Sequence, residues 1–383
     1  MTAPVADLPG IQTERGCLAI ADISGYTSYL VDSELTHAQD VLADLLEAVV
    51  HALQGAFRLA KLEGDAAFVY LPGDHPDAAL VFDRVTATYR SFRNRLASVT
   101  RATTCNCNAC VLIPSLDLKL VLHHGEYVRR VVAGSEELTG ADVIVVHRLL
   151  KNHVTEAFGA EPYAYYTDAC LAALGVDPAG RGLRPHRESF EGVGEVTGWV
   201  DNLVMRAARE DDPSRVRVTP NTPGALEIDL SLPADPATVW EWLTVPERRA
   251  RWTRGLDRID QNSAAGVRGV GTTNHCVHGS QTTLEEIVDW QPFETYTVRS
   301  RQPQPIVPVV LMTFELEPAA GGSTHARVRF APEGGRRNAL VWRGVRGQFL
   351  TALRRAGDDL RRAVAEDNTP PYAAGEPSAA PSA

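Results

Sequence analysis

Residues 18–30 read LAIADISGYTSYL. The apolar run Leu18–Ala21 carries straight into Asp22, and Gly25, Tyr26 and Thr27 then break the pattern, so the run predicts a buried strand that ends at Asp22. Over 37–54, Val41, Leu42, Leu45, Val49 and Leu53 recur on one face, which predicts an amphipathic helix. The short runs FRLAK and AAFVYL flank LEGD, a hairpin with Gly64 in its turn. A helix over about 77–98, a strand at LDLKLVLHH and a helix near 141–152 complete a first segment that is α/β or α+β, not all-α.

The second segment has another rhythm. ALEIDLSL alternates as a strand, and PADPATVWEWLT opens a helix with Asp235 ahead of Pro236 as cap and first-turn residue. VPERRARW gives a second short helix, followed by the strands GTTNHCVHG, QTTLEEIVDW, ETYTVRSR, VVLMTFELEP and THARVRFAP. The segment closes on a long helix, about 337–365, with Trp342, Val345, Phe349, Leu353 and Leu360 at helical spacing. This order predicts an α+β domain in which a curved sheet wraps a helix.

The expected domains are 15–204 and 223–366, joined by a charged, Pro-containing linker at 205–222 and followed by a disordered Pro/Ala/Ser tail at 367–383. A length of 383 residues suits two domains. A formal net charge of -10, without a basic-aromatic stripe, excludes a nucleic-acid partner as an expectation. The opening MTAPVADLPGIQTERG has neither the positive region nor the apolar stretch of a signal peptide, and no apolar run approaches the ~20 residues of a membrane helix. Six sparse cysteines, three of them in CNCNAC, fit a reducing compartment, so a cytoplasmic protein is expected.

A carboxylate at the end of a buried strand is hydrogen-bonded, paired or holding a metal. Four stretches bear on that choice. Asp-Ile-x-Gly-Tyr-Thr at 22–27 resembles the first metal-binding motif of the class III nucleotidyl cyclases. KLEGDAAFVY, with Lys61 four residues before Asp65, resembles the second, LVLHHGEYV resembles the strand ending in His-x-Gly, and GADVIVVHRLL resembles the helix with the transition-state residues. The four occur in family order over about 15–200.

The resemblance implies a ferredoxin-like class III cyclase fold. It also implies two Mg²⁺ or Mn²⁺ ions on Asp22, Ile23 and Asp65, and base contacts from Lys61 with an acid at Glu137. Arg148 takes the charge-stabilising role, a nucleoside triphosphate (ATP favoured) is the partner, and a homodimer shares the site between subunits. The chemistry is consistent with those residue types, because paired carboxylates hold ions that neutralise phosphate and activate a hydroxyl, while a guanidinium suits phosphate oxygens. A hydrogen-bonded turn acid remains the alternative for each carboxylate alone, and a surface arginine the alternative for Arg148.

Two positions depart from the family. Ile144 stands where the catalytic helix carries Asn, and 188–200, read as the strand for a late basic residue, offers Glu191 but no Lys or Arg. Asn152, one turn past Arg148, is a candidate substitute. The expectation is a slow or altered adenylate/guanylate cyclase with an incomplete catalytic set, or a pseudo-cyclase. The pattern also resembles a bacterial family of cyclase-homology domains of unknown function.

CNCNAC spaces thiols as C-x-C-x-x-C. Cys107 and Cys110 have zinc-ligand spacing, Cys105 is an extra thiol, and a fourth ligand must come from elsewhere, His123 being one candidate. Structural zinc, redox-sensitive thiols and plain cysteines all remain open. Residues 223–366 resemble the START-like, Bet v 1-like superfamily (polyketide cyclase/dehydrase-like), a helix-grip fold, which implies a cavity for an apolar small molecule or lipid. Trp240, Trp242, Trp252, Trp290 and Trp342 either line it or pack the core, and His275 and Cys276 must point to opposite faces. The expected function is signalling that couples the two sites. The alternatives are a non-catalytic dimerisation or small-molecule-binding protein, or a polyketide cyclase-like enzyme centred on the second domain.

Overall fold

Alternation along the first strand decides what is buried and where. In β1 (Thr13–Ser24), Leu18 and Ile20 point to one face and Cys17, Ala19 and Ala21 to the other, all of them fully buried, so both faces of the strand are covered. A computed structural model describes residues 13–367, apart from 32, 103, 104, 106, 133, 134, 160, 211–214, 304–306 and 335. The chain divides into two compact units between Ala207 and Ala208.

In the first unit, β1 is followed by α1 (Tyr26–Val31), α2 (Leu35–Leu53), β2 (Arg58–Glu63), β3 (Ala66–Pro72), α3 (Ala78–Ala102), α4 (Asn108–Leu112) and β4 (Asp117–Val132). Then come β5 (Ser135–Thr139), α5 (Ala141–Arg148), α6 (Val154–Phe158), β6 (Tyr163–Thr167), α7 (Asp168–Leu174), β7 (Arg184–Phe190), β8 (Gly194–Asn202) and α8 (Leu203–Glu210). The sheet order is β2-β3-β1-β4-β6-β8-β7, with β5 on β4. The βαββαβ run from β1 to β4, with those strands ordered β4-β1-β3-β2 and antiparallel, is the ferredoxin-like arrangement. Leu42, Leu45, Val49 and Leu53 bury one face of α2, as their spacing predicts. Leu18, Ile20, Phe68 and Val121 share a core with Val143 and Val146 of α5 and with Leu149 just after it, each such side chain contributing roughly 1.5–3 kcal/mol on burial.

The hairpin at LEGD forms as expected, with Gly64 at φ +68°. Gly125 is required for another reason: a Cβ there would lie 2.3 Å from Asp142 Oδ2, which accepts from the Glu126 amide at 2.6 Å where α5 begins. The stretch 188–200, expected as one strand, is instead a hairpin, because Gly192 at φ +79° turns β7 back into β8.

The second unit runs β9 (Leu226–Leu232), α9 (Pro236–Thr244), α10 (Pro246–Trp252), β10 (Arg258–Asn262), β11 (Thr273–His278), β12 (Gln281–Gln291), β13 (Thr295–Arg301), β14 (Val310–Ala319), β15 (Ser323–Pro332) and α11 (Arg336–Glu366). Its seven strands form one antiparallel sheet, β10-β11-β12-β13-β14-β15-β9, and α11 packs on β9 and β15. This is a helix-grip α+β arrangement. Asp235 caps α9 by accepting from the Ala237 and Thr238 amides at 3.0 and 3.2 Å.

The stretch expected as a linker, 205–222, is structured where it is described. Residues 205–210 continue α8, Arg217 pairs with the buried Asp289, and the Val218 amide donates to Thr313 Oγ1 at 2.8 Å. Its alternating Arg215-Val216-Arg217-Val218 supplies both the charge and the apolar contact. The expected tail, apart from Asp367, lies outside the described residues.

Candidate functional site

Asp22 continues the face of Leu18 and Ile20. β1 runs two residues past it to Ser24, not ending at Asp22 as the sequence pattern predicts, because Ile23 and Ser24 still pair with Leu118 and Asp117 of β4. Directly across the ladder stands Lys119 of β4, and its Nζ lies 3.0 Å from Asp22 Oδ2. Lys119 also donates to the Leu150 carbonyl at 3.3 Å. On the other side, the β2–β3 turn carries Asp65, whose carbonyl accepts from the Ile23 amide at 3.2 Å. A cleft of about 510 Å³ opens there, lined by Asp22, Ile23, Asp65, Asp117 and Lys119, by the turn 24–28 and by Tyr163. The Ile23 side chain is buried, so this residue faces the cleft with its main chain.

Three carboxyls in this cleft are raised above the ordinary carboxylate range. Burial is the main cause for Asp22, partly offset by Lys119. Burial followed by repulsion from Asp22 raises Asp65, and burial raises Asp117. Lys119 is the one Lys or Arg among the residues lining the cleft. The site therefore carries more negative than positive charge in a partly desolvated place.

The remaining expected residues sit elsewhere. Lys61 on β2 and Glu137 on β5 do meet, Nζ to Oε1 at 3.4 Å, at the exposed end of the sheet. Arg148 is exposed at the C-terminus of α5, one turn after Ile144, whose side chain is 56 % exposed. Asn152 is committed to local structure: it donates to the Leu149 carbonyl and accepts from the Val154 amide and the Tyr163 hydroxyl. Glu191 is exposed in the β7–β8 turn.

His123 is not near the cysteines. It is buried, with Nε2 on Asp142 at 3.1 Å and Nδ1 on Thr167 Oγ1 at 2.9 Å. The carboxylate can only accept, so Nε2 carries the proton and the Thr167 hydroxyl donates to Nδ1.

In the second unit, two adjoining cavities of about 280 and 160 Å³ share Arg249, Thr253, Met312, Leu353 and Ala356. The smaller is almost wholly apolar, with Ile228, Leu230, Trp252, Phe314 and Leu360 among its walls. Of the five tryptophans considered above, Trp252 lines it, while Trp240, Trp242, Trp290 and Trp342 are packed in the core. Where the cavities meet, Arg249 and Glu285 form a buried two-pronged ion pair at 2.6 and 2.8 Å. Cys276 points inward and His275 outward, as alternation requires.

A Mycobacterium tuberculosis (strain ATCC 25618 / H37Rv) protein, Uncharacterized protein Rv2561/Rv2562, is 40 % identical over 162 residues, covering 42 % of this chain and 73 % of that protein. The chain belongs to the Rv2561/Rv2562 family. In this family member, residues 225–365 match the family described as Polyketide cyclase / dehydrase and lipid transport, and residues 42–158 match a Protein of unknown function (DUF2652). Similar solved structures include the guanylyl cyclase Cya2 (16 % identity, TM-score 0.40, covering 50 % of this chain and 93 % of that one). They also include the adenylyl cyclase CyaB from P. aeruginosa (15 %, TM-score 0.38, 50 % and 97 %) and Ara h 8.0201 (20 %, TM-score 0.28, 36 % and 96 %).

Sequence reasoning missed three groups in this Rv2561/Rv2562 relative. Lys119 was visible only as one polar residue in LDLKLVLHH; the β1–β4 register, which places it on Asp22, is not readable from spacing. Asp117, two residues earlier on the same face, was missed for the same reason. The Arg249–Glu285 pair joins a helix to a strand 36 residues on, and no local signal links them.

Proposed function

We propose that the first unit binds a nucleoside triphosphate together with Mg²⁺ or Mn²⁺ in the Asp22/Asp65 cleft, and that it turns the nucleotide over slowly or not at all. The observation that carries this reading is the meeting of Asp22, Asp65 and Asp117 in one partly buried cleft with excess negative charge. The donors fit such an ion: carboxylate and main-chain oxygens are hard ligands of the kind Mg²⁺ and Mn²⁺ take. Asp22, Asp65 and the main chain of Ile23 would hold it, with Asp117 beside them. When bound, the ion neutralises phosphate oxygens.

The chain's own residues then divide the work. Lys119 supplies a cation that can leave Asp22 for a phosphate oxygen. Lys61 and Glu137 offer a donor and an acceptor to a base edge, and this pair favours adenine. None of these two, nor Arg148, lines the same cleft, so a shared site needs a second copy of the chain to bring them to the nucleotide. Exposed Leu59, Leu62, Val131 and Ile144, on or beside the strands carrying that pair, suit such a homodimer. Ile144 offers no hydrogen bond, and loss of one preorganised donor typically costs about 10²–10³ in kcat.

The second unit would bind a small apolar molecule with one polar end, its body in the apolar cavity and its end toward Arg249, Glu285 and Gln302. Carrying both sites on one chain supports a signalling role in which one ligand alters the affinity for the other. No helix among the described residues is long and apolar enough to cross a membrane.

The test is calorimetric titration of the full chain with ATP and GTP, with and without Mn²⁺, followed by chromatography of the mixtures. Binding that requires the ion, with little or no cyclic product, supports the reading. Rapid formation of cyclic product would replace it with a working cyclase, and ion-independent binding would remove the ion from the site.

A further inference from the structure

The cysteine cluster acquires a fourth ligand when the chain folds. His37, at the start of α2, brings its Nδ1 to 3.3 Å from Cys107 Sγ, although 70 residues separate them in sequence. Cys107 Sγ is 3.3 Å from Cys110 Sγ, and the Cys105 sulfur accepts from the Cys107 amide at 3.4 Å. One ligand atom from each of His37, Cys105, Cys107 and Cys110 lies within 4.8 Å of every other. Four ligands at roughly 2.1–2.3 Å from a tetrahedral zinc lie about 3.4–3.8 Å from one another, so the group is already close to that size. It is too open for a disulfide, whose sulfurs stand about 2.05 Å apart.

We propose that His37, Cys105, Cys107 and Cys110 form a structural zinc site that ties helix α2 to helix α4. Zinc binding displaces the thiol protons to solvent and leaves three thiolates and one neutral imidazole around the ion, a closed set of the structural kind. Local groups are arranged to serve it. Cys107 precedes the first turn of α4, and the Cys110 and Val111 amides both donate to its carbonyl at 3.1 Å, which holds the C-x-x-C turn. The Glu34 carboxylate accepts from the Asn108 and Ala109 amides, fastening the same two segments.

A buried group gives independent support. Tyr29 is 1 % exposed and its hydroxyl has no hydrogen-bond partner among the described residues. Cys110 and Cys107 lie close enough to act on this hydroxyl, and a phenol is a donor. A metal-bound thiolate would offer such a donor an acceptor.

The site has a structural consequence. Tyr29 donates its amide to the Gly25 carbonyl within the turn 24–28, and α4 leads through Ser115 into Asp117. Both stretches line the Asp22 cleft, so a clip between α2 and α4 holds two walls of that cleft in place. The zinc claim stands whether or not a nucleotide binds there.

The experiment is zinc analysis of the full chain after gel filtration, alongside His37→Ala, His37→Cys and Cys107→Ser, with Co²⁺ reconstitution of each. The wild type is expected to hold about one zinc per chain, and its Co²⁺ form to show thiolate-to-metal charge transfer with tetrahedral ligand-field bands. His37 is exposed, so its replacement leaves the core intact. The affinity of His37→Ala should fall at least tenfold, His37→Cys should keep the ion, and Cys107→Ser should lose the charge-transfer intensity of one thiolate. Well under one zinc per wild-type chain with no such cobalt spectrum would overturn the proposal, as would a Cys107–Cys110 disulfide in the isolated protein or undiminished affinity in His37→Ala.

Discussion

Lys119 faces Asp22 directly across the β1–β4 ladder and closes a 3.0 Å ion pair with it, at side-chain exposures of 22 % and 14 %. A carboxylate expected to bind a metal thus already has a cation on it. Removing an amine that competes for Asp22 should free the carboxylate: Lys119→Met is expected to tighten Mn²⁺ binding to the nucleotide-free chain by about tenfold, roughly 1.4 kcal/mol. Its nucleotide affinity in the presence of Mn²⁺ should fall, because the cation for the phosphates is gone. Titration with Mn²⁺ alone, then with ATP, reads both. Unchanged Mn²⁺ affinity would mean the pair does not compete with the ion.

Lys61 and Glu137 are assigned to the base and not to the metal. Lys61→Ala should therefore weaken ATP binding by about 5- to 20-fold while leaving affinity for Mn²⁺ alone unchanged. Equal effects on both would place Lys61 in the metal site and break the division of roles.

His123 gives a pH signature. Burial, which outweighs Asp142, holds its imidazole below the ordinary histidine value. The unfolded chain then takes up a proton at a higher pH than the folded one, so the stability His123 contributes is present above about pH 6.5 and is lost as pH falls below it. Between pH 7.5 and 5.5, His123→Gln should lose about 1–3 °C less in Tm than the wild type does. An identical loss in the two proteins would contradict this assignment.

Much of the fold was legible because the signals were local. The 3.6-residue period of α2, the Gly64 turn and the Asp235-Pro236 start of α9 each need only neighbours in sequence, and each formed as expected. What failed to show in the sequence depends on register or on distant segments. Gly192 turned an expected strand into a hairpin, and the Asn152 side chain is held in hydrogen bonds with Leu149, Val154 and Tyr163. His37 could not be paired with CNCNAC from spacing, since α2, the β2–β3 hairpin and α3 lie between them. Arg217 and Val218 looked like linker because their partners, Asp289 and Thr313, come 72 and 95 residues later.

In the second unit, the Arg249–Glu285 pair is buried on the cavity wall, and the neighbouring arginine holds the Glu285 carboxyl below its ordinary range against the cost of burial. Arg249→Met strands a buried carboxylate and should cost about 3–5 kcal/mol. Arg249→Met combined with Glu285→Leu removes both charges and should recover most of that loss. Denaturant unfolding of the two variants measures the difference. A double variant no more stable than the single one would show that the pair contributes packing and not charge balance.

The central claim is metal-dependent nucleotide binding by the carboxylates at the end of β1 and in the β2–β3 turn. Its most direct measurement is ATP binding by calorimetry, with Mn²⁺ present, to the wild type and to Asp22→Ala/Asp65→Ala. Wild-type binding that falls by at least a hundredfold in the variant, whose thermal unfolding remains cooperative, is the predicted result. Equal affinity in the two proteins would contradict it and leave the ferredoxin-like unit without this function.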